Sequence, residues 1–338
     1  MAASTSRNVI FAALAGNTAI AVTKFGAALF TGSAAMMSEA IHSAVDTGNQ
    51  IILLIGLKRA ARPATELHPF GHGLQLYFYT FVVAVLIFGL GAVLSITHGL
   101  ERIRAPEPIE NPWVNYLVLG LAVLFEGVSW FVALRAFNQE RNGRPLLATV
   151  HSSKDPTVFT VLFEDTAALL GLVAALVGVA ASQLLDMPVL DGAASVVIGV
   201  ILALTAGFLA IESQSLLTGE AADKPTRDGI AALAAAEPGV QHLNDARTMH
   251  FGPNEILVAL SLDFDDALSA GEVEAAVGRL ERAIRAAHPQ VGRLYVEAQS
   301  LAGHAAVRQA VLAGGGPAAL VDDVPGPPGA TKTPFNPA

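Results

Sequence analysis

Over its first two thirds the chain strings apolar residues into blocks and keeps polar residues for the gaps. Six blocks reach the roughly 20 residues that a helix needs to cross a bilayer. They cover 8–30, 34–58, 76–103, 112–138, 157–184 and 191–217. The first follows Arg7 and has the look of a secretion signal, but it lacks a convincing cleavage site and more spans follow at once, so it reads as a helix. After Thr218 charge rises and the blocks stop. "EILVALSLDF" alternates, with Ile256, Val258, Leu260, Leu262 and Phe264 on one face, which predicts a strand. "GEVEAAVGRLERAIRAA" sets Val273, Val277, Leu280 and Ile284 at helical spacing. A helix near 226–236, a strand near 240–250 and the short strand "GRLYVEAQ" complete the order α-β-β-α-β, a small ferredoxin-like α+β unit with helices on one face. From residue 301 Ala, Gly and Pro dominate, a composition expected to stay disordered. The expected fold is a polytopic α-helical membrane protein of about six spans (1–218), a cytoplasmic α+β domain (219–300) and a tail (301–338).

Composition agrees. Hydrophobic residues make up 53% of the 338 and charged residues 14%, where a soluble domain carries about a quarter charged. There is no cysteine, so disulfides and thiolate metal sites are excluded and any metal must use histidine and carboxylates. The net charge of −9 offers no footprint for nucleic acid. Basic residues concentrate on one side: Lys58, Arg59 and Arg62 after the second span, and Arg135, Arg141, Arg144 and Lys154 between the fourth and fifth. Opposite them Arg102 and Arg104 are diluted by Glu101, Glu107 and Glu110. The positive-inside rule then places both termini in the cytoplasm. The Ala/Gly-rich composition, without a presequence, suggests a bacterial inner membrane.

Against this apolar background the ionisable residues stand out, because such groups are expensive in a bilayer and usually mark an ion or proton path. In "SEAIHSAVD", His42 and Asp46 are four apart and share a helix face; Glu39 shares it loosely, and Asn49 follows three beyond Asp46. An imidazole and a carboxylate one turn apart suit half of a divalent-metal site, the alternative being a buried hydrogen-bonded pair that only positions helices. "VLFEDTAALLG" offers Glu164 and Asp165 for the other half; neighbours about 100° apart on a helix cannot both aim at one point, so one ligates while the other accepts hydrogen bonds or shuttles a proton, unless both lie solvated near the cytoplasmic end. Glu126, alone in the fourth span, could assist the site, relay protons or pair with Lys24, which could instead snorkel. The loop "ELHPFGHG" brings His68 and His72 together beside Glu66, either as a metal-accepting pair or as a docking turn. His242, His250 and His288 are scattered, and Asp263, Asp265 and Asp266 read as a solvated strand end. HExxH is absent and no span shows a nucleophile–base pair, which argues against an intramembrane hydrolase.

"SEAIHSAVD", the "HPFGHG" loop, about six spans and a small α/β domain together resemble the cation diffusion facilitator family over roughly residues 8–300. The fifth span, with "KDP" before it, is most similar to the branch containing the animal mitochondrial zinc transporter. The resemblance implies export of a divalent cation, Zn2+ first and Mn2+, Fe2+, Co2+ or Cd2+ as alternatives. It implies proton exchange by alternating access, a homodimer, and a cytoplasmic domain that dimerises. No organic cofactor is implied. His42 and Asp46 match the family's second-span motif, whereas the fifth span departs from His-x-x-x-Asp: Glu164 or Asp165 stands there, with Ala168 and Leu169 four later. Asn49, Glu126, water, or Glu164 and Asp165 together are the candidates for the fourth ligand. The departure keeps a second reading open, a membrane metal sensor or assembly protein that binds without transport.

Overall fold

The structure is a computed structural model that describes residues 2–141, 145, 149–150 and 153–312. Its first compact unit comprises Met1–Glu220 with His250–Glu255, and its second Ala221–Met249 with Ile256–Ala338.

Six long helices build the first unit: α1 (Ala2–Thr31), α2 (Ala34–Ala60), α3 (Leu74–Arg104), α4 (Trp113–Arg141), α5 (Pro156–Leu184) and α6 (Val189–Leu217). Four of them, α3 to α6, contain stretches long and apolar enough to cross a membrane among the described residues. The chain is a multi-pass membrane protein on that ground. The two remaining helices have the length. In α2, Glu39, Asp46, Lys58 and Arg59 dilute the apolar content.

Local sequence explains the ends. Gly32, at φ 66°, and Ser33 form the whole connection between α1 and α2; a residue with a side chain is strained at that φ. Ser33 then caps α2 by accepting from Met36 N–H. Arg102 reaches the same turn from the end of α3, donating to the Gly32 carbonyl and pairing with Glu107. α3 loosens into a π segment at Ile87–Ala92 and continues as α-helix from Val93. It packs most extensively on α6, where the backbones touch: a Cβ on Gly99 would lie 2.7 Å from the Gly192 carbonyl oxygen. The apolar core runs through every helix, with Met36, Ile87, Leu119, Phe159, Leu172, Ile198 and Leu209 fully or almost fully buried.

Polar side chains cross that core in pairs. Asp191, in the first turn of α6, accepts from Ser33 Oγ at 2.6 Å and from the backbone N–H groups of Ala34 and Ala35. It therefore caps a helix to which it does not belong. One layer deeper, the Ser38 and Ser195 hydroxyls share a 2.6 Å bond, and Ser195 donates to the Ser95 carbonyl. Together they bind α2 to α6 and α6 to α3.

The chain beyond α6 follows the expected order: α7 (Lys224–Ala236), β1 (Val240–Gly252), β2 (Glu255–Phe264), α8 (Ala270–Ala287) and β3 (Val291–Ala298), all in the second unit except the His250–Glu255 turn between β1 and β2. Ile256, Val258, Leu260, Leu262 and Phe264 are all buried, as their alternation requires, against Ile230 and Ala234 of α7 and Leu280 and Ile284 of α8. The strand order is β1-β2-β3, with β2 and β3 adjacent and parallel, Val258 opposite Leu294 and Leu260 opposite Val296. A ferredoxin-like sheet has four strands and would set another between these two; the described residues form three, so the unit is α+β without that full pattern.

The expected tail needs correction at its start. Residues Leu301–Leu312 form a helix, α9, because "LAGHAAVRQAVL" is rich in good helix formers and contains no proline. The rest of that expectation, 313–338, lies outside the described residues, as does Arg144.

Candidate metal and proton pocket

The stripe on α2 that carries Glu39, His42, Asp46 and Asn49 is buried or half-buried throughout. His42 lies one turn from Asp46, with Nε2 3.5 Å from Asp46 Oδ2. Neither ring nitrogen of His42 has a hydrogen-bond partner, and Asp46 Oδ1 has none either. Buried polar atoms are almost always satisfied, so three open donor and acceptor positions within one turn are an observation to explain.

Facing this stripe, α5 contributes Glu164 and Asp165. Glu164 is buried, and its Oε1 accepts from Asn49 Nδ2 at 3.0 Å across the α2–α5 interface. Asp165 turns toward α4, where Oδ2 accepts from Ser129 Oγ at 2.8 Å. Trp130 Nε1 donates to Thr166 Oγ1 at 3.0 Å just beyond, fixing α4 against α5.

Between these helices lies a cavity of about 50 Å³ lined by Asp46, Glu126, Glu164 and Asp165. Asn17, Ser43, Gln50 and Ser129 complete its polar lining. The space is more than a single water-sized probe occupies. Four carboxylates from α2, α4 and α5 thus face one small volume in an apolar protein. His42 is not part of the lining; it stands behind Asp46. Among the described residues no three histidine, aspartate or glutamate side chains are grouped closely enough to hold a metal ion. The arrangement gathers the carboxylates loosely around a cavity.

Glu39 belongs elsewhere. Its Oε2 accepts from Lys24 Nζ at 3.1 Å, and both side chains are fully buried. Lys24 accordingly pairs with Glu39 rather than with Glu126, and it does not snorkel. His68 and His72 are exposed, their ring centroids 4.5 Å apart, with His72 Nδ1 3.2 Å from the Pro63 carbonyl oxygen.

The pocket residues that single ionisable positions did not reveal are the neutral ones. Ser43, Asp46 and Gln50 recur at three and four residues, a polar stripe readable from spacing alone. Asn17 required knowing that α1 folds back directly onto α2 through a two-residue turn.

These observations meet the comparisons with known proteins. The cation efflux transmembrane domain family matches residues 10–218, more than half of the chain. The chain belongs to the cation efflux family. The proton-coupled zinc antiporter SLC30A9, mitochondrial, of Homo sapiens is 31% identical over 244 residues, 72% of this chain and 43% of that protein. The chain therefore spans less than half the length of that relative. Metal tolerance protein C4 of Arabidopsis thaliana is 28% identical over 278 residues, 82% of this chain and 61% of that protein. A solved structure of MamM-CTD aligns with 23% of this chain and 96% of its own at 17% identity, with a TM-score of 0.22.

Proposed function

We propose that this protein exports a divalent cation, Zn2+ first, in exchange for protons, by alternating access. The carrying observation is the small cavity within the helix bundle where Asp46, Glu126, Glu164 and Asp165 face one another. Ionisable groups held at this depth belong to an ion path. Carboxylates and a neutral imidazole must shed protons to take a metal, so protons and metal compete for the same atoms. A swing between inward-open and outward-open states converts that competition into antiport. The name of the human relative, a proton-coupled zinc antiporter, supports this reading.

His42, Asp46, Glu164 and Asp165 are the proposed ligand set, with Asn49 orienting Glu164 and Glu126 as an auxiliary carboxylate. Zinc favours mixed nitrogen and oxygen donors, and His42 supplies the nitrogen by turning Nε2 from behind Asp46. A second reading, Mn2+ as cargo, has one observation in its favour: the cavity lining offers oxygen donors only. All six long helices span the membrane in this proposal, with both termini in the cytoplasm of a bacterial inner-membrane protein. Residues 219–300 form the cytoplasmic domain that joins two copies. The paired imidazoles of His68 and His72 receive metal at the cytoplasmic mouth.

The test is flux in proteoliposomes of the full chain. Zinc uptake driven by a pH gradient, abolished in Asp46→Ala, is the expected result. Tight zinc binding with no flux under any gradient would instead identify a non-transporting sensor. Manganese flux exceeding zinc flux would select the oxygen-donor reading.

A further inference from the structure

Lys24 is the cation next to the proposed site, and no part of the ligand set uses it. Its Nζ donates to Glu39 Oε2 at 3.1 Å and to Ser43 Oγ at 2.8 Å. These are two acceptors for three N–H donors. Glu39 Oε1 is buried without a hydrogen-bond partner, so the carboxylate holds the ammonium by one oxygen. Ser43 is the connecting residue: it bonds Lys24 and also lines the cavity beside Asp46, which follows it on the same face of α2.

A metal exporter must release its cargo and then return. On release, several carboxylates face one another in a low-dielectric space, where their repulsion is far stronger than in water. Protons neutralise part of that charge in the proposed exchange, and a resident cation beside the pocket neutralises the carboxylates that remain ionised. A lysine ammonium is a compact charge on a flexible four-carbon stem. Ser43 stands between Lys24 and the pocket, bonded to the ammonium and lining the cavity that holds Asp46 and Glu126.

We propose that Lys24 is a tethered internal cation, held by Glu39 while metal is bound and moved through Ser43 into the carboxylate pocket when metal leaves. It is a positioning residue that competes with the cargo. Glu39 is its resting counter-ion. The inference rests on the reading of the pocket as a metal site.

Equilibrium zinc binding to the purified full-length protein, by isothermal titration calorimetry, tests it. Lys24→Met removes the competitor and is expected to raise zinc affinity several-fold. Glu39→Gln removes the resting place, drives the ammonium into the pocket, and is expected to lower affinity by about tenfold, as a competing state goes from minor to major. The double variant, with no cation to misplace, is expected to return to the affinity of Lys24→Met. A purely structural ion pair predicts something different, since either single variant breaks the same contact and both must shift affinity in one direction. That outcome overturns the inference. Should Lys24→Met fail to fold, Glu39→Gln alone decides, because unchanged or raised affinity there is incompatible with the proposal. A wild-type protein that binds neither zinc nor manganese would overturn the reading of the pocket itself, a result distinct from wild-type binding with same-sign variants.

Discussion

Asn49 on α2 donates its side-chain amide to Glu164 on α5, 3.0 Å away and buried from solvent. One side chain of the α2 stripe thereby sets the orientation of a proposed ligand on another helix. Asn49→Ala removes that donor while the carboxylate stays buried. A hydrogen bond of this kind contributes about 0.5–1.5 kcal/mol net, and leaving a buried acceptor unsatisfied costs about 1–3 kcal/mol. A loss of that size in the stability of the detergent-purified protein, accompanied by weaker zinc binding, is expected. Unaltered thermal unfolding would show that Glu164 does not depend on Asn49.

Glu164 and Asp165 sit side by side in the sequence but are held by different partners, Asn49 on α2 and Ser129 on α4. If both serve the metal, Glu164→Gln and Asp165→Asn each lower zinc affinity by about tenfold or more, the effect of removing a charged ligand or its immediate support. Titration calorimetry on the two variants measures this. Equal and mild effects remove both from the proposed ligand set.

Asp191 caps α2 from the start of α6, so its loss strands the Ser33 hydroxyl and two backbone N–H groups at once. Replacing a side-chain cap by alanine typically costs about 0.5–2 kcal/mol, and this cap also joins two helices. Asp191→Ala is expected to fall at or beyond the upper end of that range in thermal unfolding. Asp191→Asn, which keeps one acceptor oxygen, is expected to recover part of the loss.

In the second unit Ser269 and Glu272 form a reciprocal capping box at the start of α8. The Ser269 backbone N–H and hydroxyl hold the Glu272 carboxyl below its ordinary value of 4.5. A carboxylate with a depressed folded pKa stabilises the fold above its unfolded pKa, and the contribution disappears as pH falls through the folded value. Hydrogen exchange at the first turn of α8 should therefore speed up as pH drops below about 4.5, after correction for intrinsic rates. Glu272→Gln is expected to abolish that pH dependence. An unchanged pH profile in Glu272→Gln would assign it to another group.

Much of this architecture was legible because each element announces itself locally. Twenty-residue apolar blocks have few alternatives to a spanning helix, and the alternation in 255–264 fixes which face of β2 is buried. The His42–Asp46 spacing is equally local, a property of one helix turn. Pairings between elements were harder. Lys24 and Glu39 sit about two turns to either side of the Gly32–Ser33 connection, so an antiparallel hairpin brings them level. A reading that ranks isolated charges overlooks this and offers Glu126 as the partner instead. The lateral turn of Asp165 toward Ser129 depends on how α4 is rotated about its axis, which apolar periodicity does not determine when both faces are apolar. The start of the tail was misjudged because overall Ala/Gly/Pro content masked a proline-free run at 301–312.

The contact of α3 with α6 has a mechanical consequence. Where Gly99 faces Gly192, no side chain stands between the two backbones, and nothing there acts as a bearing. The two backbones are in direct contact there, with no side chain to spare between them. A side chain larger than hydrogen at Gly99 or Gly192 forces the two helices apart, so this seam sets how closely α3 and α6 approach along their whole contact.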